Sequence, residues 1–272
     1  MIELKNISFS YGRNNNKISA LKNVDLQISE GEFVSIVGAN GSGKSTLARL
    51  LNGLLLPDEG KILVDSLSTA NTDEIWEIRK RVGFVFQNPD NQLVASTVEE
   101  DVAFGPENLG LSRDGIKQRV NDALVTVNMF KYASHEPHML SGGQKQKVAI
   151  AGTLAMNAKY LVLDEATSML DEKGSDEIIS TLRMLNKEKG LGVVNITHKP
   201  EEAVYADRII VLASGEIVAD GNPREVLTDV DMLSLRKVNA PIAVQMAAQL
   251  KARGVSVHDG ILTVQDLVDA LC

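Results

Sequence analysis

With 272 residues, 44% of them hydrophobic, the chain can bury the core of one large α/β domain plus a small appendage, or of two domains. Its formal charge of −8 argues against a broad basic face for nucleic acid. The single cysteine, Cys272, excludes an internal disulfide and a CxxC metal site, which fits a reducing compartment.

The first residues, MIELKNISFSY, alternate apolar and polar over 2–9 and carry an early acid. They read as a half-buried strand rather than a signal peptide. No stretch reaches the ~18 apolar residues of a membrane span. The expectation is a cytoplasmic chain that meets a membrane only through a partner. RNNNK at 13–17 reads as an exposed hairpin loop, and ALKNVDLQI as the strand after it.

The run FVSIV (33–37) is continuous and β-branched, as expected of a strand buried on both faces. Gly38-Ala39-Asn40-Gly41-Ser42-Gly43-Lys44-Ser45 follows it and opens a helix over 44–52, matching G-x-x-x-x-G-K-[ST]. At average composition this pattern arises by chance in roughly one chain of this length in a hundred, and the strand–loop–helix context lowers that further. In such a loop the glycines let backbone N–H groups curl around phosphates, and Lys44 neutralises β/γ oxygens. The Ser45 hydroxyl ligates Mg²⁺, Thr46 follows in the first turn, and the helix N-terminus adds partial positive charge.

A second buried-strand run, Val82–Phe86, leads into FVFQNPDNQ, where amides crowd one loop. Amides of this kind hold a metal-bound oxygen or dock a partner surface. Residues 98–140 are helix-rich without a convincing strand, and read as an inserted helical subdomain. Leu140-Ser141-Gly142-Gly143-Gln144 then opens a helix over 143–156. A Ser and two Gly at a helix start make a second anion site. Tyr160–Leu163 ends in Asp164-Glu165, which places both acids at the C-terminal edge of a parallel strand, beside the phosphate loop. There Asp164 would orient a Mg²⁺ shell and Glu165 polarise an attacking water.

Helices over 115–128 and 175–188 and strands at 193–197 and 209–212 complete an alternation that predicts a mostly parallel α/β sheet, with antiparallel N-terminal strands making it mixed at one side. After Gly221 the texture changes. Asn222-Pro223 starts a helix, and further helical patterns at 241–253 and 264–271 mark 222–272 as a C-terminal appendage.

A generic phosphate-loop enzyme has no use for the second glycine motif. With it, the chain resembles the ATP-binding cassette (ABC) ATPases over about residues 1–220. Tyr11, the phosphate loop, Gln87, LSGGQ, the Asp164-Glu165 strand, Ser168-Met169-Leu170-Asp171 and His198 occur in the family's order. The resemblance implies an α/β P-loop NTPase fold: an ABC ATPase domain over 1–221, its mixed sheet interrupted by a helical subdomain of about 88–158. It implies ATP and Mg²⁺ as cofactors, with two cassettes sandwiching two ATP molecules. Tyr11 would stack on adenine, and Gly38 to Thr46 would hold the phosphates. Ser45, Gln87 and Asp164 would serve the metal, and Glu165 and His198 would be catalytic. Ser141, Gly142, Gly143 and Gln144 would reach the partner's site, and 168–171 would cross the seam.

Within the family the chain looks most like the ATPases of energy-coupling factor (ECF) transporters. FQNPDNQ at 86–92, VEEDVAFGPENLGL at 98–111 and SGGQKQKVAIAGTLAM at 141–156 carry that likeness. LDEATSMLD at 163–171 points to the first of two paralogous ATPases that pair as a heterodimer. The group implies a transmembrane coupling subunit, substrate-binding membrane proteins reached indirectly, and a place on the cytoplasmic side of a prokaryotic cell membrane. It also implies import of a vitamin or other micronutrient, docking of the coupling subunit near Asn88–Gln92, and an appendage that helps hold the pair together. Competing readings are the ATPase of another ABC importer, such as a cobalt or nickel system, and a soluble cassette acting in DNA repair or translation. A long coiled-coil insertion and a tandem second cassette, which the soluble reading would call for, are absent. Two departures stand out. Ala166 replaces the Pro common after the acid pair, and Lys199-Pro200 follows His198 where an acid is usual, placing a positive charge near that site.

Overall fold

The computed structural model describes residues 1–12 and 17–271; of the hairpin read at 13–17, all but Lys17 lies outside the described residues, as does Cys272. Strands β1 (Ile2–Tyr11) and β2 (Ile18–Ile28) pair antiparallel. β3 (Phe33–Val37), helix α1 (Lys44–Leu51), the hairpin β4 (Glu59–Val64) and β5 (Leu67–Ser68), α2 (Ile75–Arg81) and β6 (Val82–Val85) follow. Then come three helices in succession, α3 (Val98–Asn108), α4 (Arg113–Thr126) and α5 (Gly142–Ala155). The alternation resumes with β7 (Tyr160–Asp164), α6 (Glu172–Lys189), β8 (Gly192–Ile196), α7 (Pro200–Ala203), β9 (Arg208–Ala213) and β10 (Glu216–Gly221). Four helices end the chain: α8 (Pro223–Leu227), α9 (Val230–Leu235), α10 (Ile242–Ala252) and α11 (Val264–Leu271).

The main sheet has the order β10-β9-β3-β8-β7-β6, parallel except for the edge strand β10. The antiparallel N-terminal strands do not extend it; they form a second sheet, β2-β1-β4-β5. The reason lies in their patterning. β1 and β2 alternate buried and exposed residues, so one face is free to lie flat on another layer. The parallel strands of the main sheet are buried on both faces, and their side chains divide by period two. Phe33, Val37, Leu161, Leu163, Val193, Ile209 and Val211 enter the core shared with α3–α6. Val34, Ile36, Tyr160, Val162, Val194, Ile196, Ile210 and Leu212 enter the core shared with α1 and the antiparallel sheet.

The C-terminal helices are not set apart from these layers. Val226, Leu227, Leu233, Ala240 and Val244 belong to the core of the helical face. Only Ala243, Ala247, Val257, Ile261 and Leu267 form a small cluster of their own between α10 and α11.

Candidate nucleotide site

Three parallel strands end side by side at one edge and deliver the site. β3 runs into the 38–43 loop, β7 into Asp164-Glu165, and β8 into Thr197-His198. At Gly38 a Cβ would lie 2.3 Å from the Leu212 carbonyl oxygen, so only glycine lets the loop pass the neighbouring strand. Gly43 precedes α1 at φ 107°, and no side chain caps that helix, which leaves its first N–H groups for a ligand. Lys44 is 4% exposed and donates from Nζ to the carbonyls of Gly38 (2.9 Å) and Ala39 (3.1 Å), curling over the loop it follows. Its Nζ lies 3.8 Å from Glu165 Oε1. Burial pulls the Lys44 ammonium below its usual range, and the charges of Glu165 and Asp164 oppose that.

Ser45 donates from Oγ to Asp164 Oδ1 at 2.7 Å, joining α1 to the end of β7. Burial raises the Asp164 carboxyl above the ordinary carboxylate range, and the adjacent Glu165 charge adds to this; the Ser45 bond, Arg49 and Lys44 oppose it. Glu165 takes φ 51°, a left-handed conformation that costs a side-chain-bearing residue about 1–3 kcal/mol. The turn aims its carboxylate back at the site. Gln87 Nε2 donates to Glu165 Oε2 at 2.9 Å, and His198 Nδ1 lies 3.3 Å from the same oxygen. An ammonium, an amide and an imidazole thus meet on one carboxylate.

Tyr11 stands at the other end, 41% exposed, with its hydroxyl 3.2 Å from Thr46 Oγ1 and its ring edge-on to Phe9. A cavity of about 820 Å³ runs from Tyr11 and Ala20 past the loop to Gln87, Glu165 and His198. Lys237, Val238 and Asn239 form part of its wall. Nothing in the sequence pattern marks those three, since they stand about forty residues past His198 in a stretch without a motif.

Ser141, Gly142, Gly143 and Gln144 do not line this cavity. They build the start of α5 with a capping box: Ser141 Oγ accepts from Gln144 N–H, and Gln144 Oε1 accepts from Ser141 N–H at 2.9 Å. Around Gly142 there is open space, and Gly143 packs against Leu170 of the 168–171 loop. The amide loop is sutured to the same helix. Gln92 Nε2 donates to the Ala149 carbonyl at 3.0 Å while its Oε1 accepts from Phe86 N–H, and Gln146 Nε2 donates to the Phe86 carbonyl. Lys199, flagged as a cation beside His198, is turned away from Glu165. Its Nζ lies 3.2 Å from the Thr167 carbonyl and 3.3 Å from Glu202 Oε1.

A family model described as ABC transporter matches residues 21–168, and one described as energy-coupling factor transporter EcfA1 C-terminal domain matches 241–272. A curated relative from Symbiobacterium thermophilum, an energy-coupling factor transporter ATP-binding protein EcfA1, is 52% identical over 276 residues, covering 100% of this chain and 96% of that protein. The chain belongs to the energy-coupling factor branch of the ATP-binding cassette family. An EcfA1 from Clostridium novyi is 48% identical, again with 100% of this chain and 98% of that protein covered. Among solved structures, the cassette MJ0796, dimeric in a post-hydrolysis state with ADP and Pi, superposes with TM-score 0.77 at 38% identity, over 82% of this chain and 99% of that one. Structure cbiO1 of Clostridium perfringens, part of the ABC transporter complex cbiONQ, gives 0.75 at 36%, over 86% and 94%. As a cassette of this branch the chain is a nucleotide-binding ATPase subunit of an ECF-type transporter. Among the described residues no helix is long and apolar enough to cross a membrane.

Proposed function

We propose that the chain hydrolyses ATP as one half of a head-to-tail cassette dimer on the cytoplasmic side of a cell membrane. Its partner there is a paralogous cassette, and the pair drives a transmembrane coupling subunit in the uptake of a vitamin or other micronutrient. The observation that carries the hydrolytic role is the convergence of Lys44, Gln87 and His198 on Glu165, beside the Ser45–Asp164 pair.

In this reading the uncapped start of α1 and Lys44 hold the phosphates, and Tyr11 supplies a ring for the base. Ser45 and Gln87 are hard oxygen donors suited to Mg²⁺, with Asp164 orienting the shell through its bond to Ser45. When bound, that ion would neutralise charge on the transferring phosphoryl group. Glu165 accepts a proton from the attacking water, and His198 holds the carboxylate's far oxygen and faces the γ-phosphate. Positioning and charge account for most of the acceleration. Ser141, Gly142 and Gly143 lie outside their own chain's cavity but on an open helix start, as a contribution to the partner's site requires. Gln144 supports it by capping Ser141.

Two surfaces support the partners. An apolar groove of about 390 Å³ between the core and the helical subdomain is lined by Leu54, Trp76, Phe86, Val94 and Phe104, and it suits a helix of the coupling subunit. Gln92 also lines it, with its amide bonded to the Ala149 carbonyl and the Phe86 N–H, and Asp90 lines a separate cavity that shares Val94. On the appendage, Ile242 and Met246 of α10 and Val264, Val268 and Leu271 of α11 form exposed apolar stripes at helical spacing, a fit for the paralogous cassette.

Glu165→Gln is expected to keep ATP affinity, lower turnover by about 10²-fold or more, and accumulate an ATP-bound dimer on size exclusion. Turnover at the parental rate would remove Glu165 as the base.

A further inference from the structure

Behind His198 lies a buried polar cluster to which no role has been given. Its centre is Glu202 of α7, 5% exposed. Glu202 Oε2 accepts from Thr197 Oγ1 at 2.8 Å and from Thr167 Oγ1 at 2.9 Å. Oε1 accepts from Ser175 Oγ at 2.7 Å and lies 3.3 Å from Lys199 Nζ. All four partners sit at positions that matter to the site. Thr197 immediately precedes His198. Thr167 is the last residue before the 168–171 loop, and Ser175 is in the first turns of the helix that loop enters. The loop's own Asp171 caps that helix through Gly174 N–H at 2.9 Å. Lys199 follows His198 and also donates to the Thr167 carbonyl at 3.2 Å.

We infer that Glu202 is a positioning residue for ATP hydrolysis, a carboxylate clamp that fixes both ends of the 168–171 loop and the strand end carrying His198 in one frame. A buried carboxylate is costly unless its lone pairs are filled, and here three hydroxyls and an ammonium fill them. Hydrogen bonds to a charged acceptor are about twice as strong as neutral ones, so the frame is stiff where the loop itself is partly exposed. Met169, in that loop, is 49% exposed, and Leu170 packs on Gly143 of the signature helix start. Movement of the loop when a second cassette docks therefore reaches Thr197 through a single side chain, and His198 with it. Lys199 belongs to the clamp, because its ammonium is held by Glu202 and the Thr167 carbonyl and does not line the nucleotide cavity. The clamp rests on the reading that 168–171 cross the dimer seam and that His198 acts in hydrolysis.

The test uses the ATPase in its assembled transporter. Glu202→Gln keeps the side chain's size and removes its charge; Thr197→Val is isosteric and removes one arm. Each is expected to lower kcat at least fivefold while KM for ATP stays within twofold. Leu182→Ala, a core lesion on α6 outside the clamp, is expected to lower the melting temperature at least as much and leave kcat within twofold. Unchanged kcat in both Glu202→Gln and Thr197→Val would overturn the clamp, and so would an equal loss in Leu182→Ala, which would make the effect one of general stability. His198→Ala run alongside separates the two levels. If it is inactive while the clamp variants are not, only the clamp fails; if it keeps the parental rate, the underlying reading of His198 fails and the clamp with it.

Discussion

At the scale of single residues, the site holds charges where burial opposes them. Asp164 is 2% exposed, and its carboxyl titrates above the usual range because ionising it there is unfavourable. A carboxyl raised in this way contributes nothing unfavourable below its unfolded pKa near 3.8; its cost accrues as pH rises from there through the raised value. Asp164→Asn should therefore raise the neutral-pH melting temperature of the nucleotide-free protein while abolishing turnover, and the gain should vanish toward pH 3. A scanning melt across pH reads this directly; a fall in melting temperature at pH 7 would contradict the account. Activity and stability are opposed at such a position. The residue types were legible in the chain, since Gly38–Ser45, Asp164 and Glu165 stand in readable patterns. The orientation of Lys199 was not. Its side chain turns toward Glu202, a buried carboxylate held in place by hydroxyls of Thr197, Thr167 and Ser175 that come from three separate parts of the chain.

At the scale of elements, the legible pieces were those with strong periodicity. The doubly buried strands β3, β7, β8 and β9 show as apolar runs, and α5, α6, α10 and α11 show as helical patterns with a cap or a stop. Strands β4, β5 and β10 escaped because β10 and the two-residue β5 lie at sheet edges, and β4, though paired on both sides, opens on the exposed Glu59-Gly60-Lys61, so none shows as an apolar run. The start of α5 illustrates one sequence serving two ends. Ser141 caps the helix, and its hydroxyl stands at the open helix start proposed to meet the partner's nucleotide. Ser141→Asp keeps an acceptor at the cap, so the fold should lose less than about 1 kcal/mol. It also places a negative charge where a phosphate must approach, so ATP-driven dimerisation should fall tenfold or more. Circular dichroism and analytical ultracentrifugation separate the two effects. Unchanged dimerisation would mean that the helix start does not meet the partner's nucleotide.

At the scale of the whole molecule, the boundary read at 221 is not where the packing divides. Val226, Leu227, Leu233 and Val244 lie in the main core, each contributing about 1.5–3 kcal/mol, against a total stability of about 5–15 kcal/mol for a domain. A chain ending at Gly221 is expected to aggregate or melt without cooperativity. One ending at Gly254 loses α11, most of the small cluster and, of the main core, Leu262, so it should fold as a cassette but pair less well. Thermal melts and size exclusion of the two truncations decide; a cooperative parental melt for the shorter one would restore 221 as a true boundary. By itself the sequence determined the layered α/β plan, the phosphate loop, the acid pair and the signature helix, because these rest on local periodicity and on residue types at short spacing. Only the tertiary structure decided which groups meet on Glu165, that 237–239 wall the cavity, and that Glu202 bonds both Thr167 and Thr197. The contacts on Glu165 reach as far along the chain as Lys44, 121 positions away, and their geometry follows from strand order and burial, which local pattern does not encode.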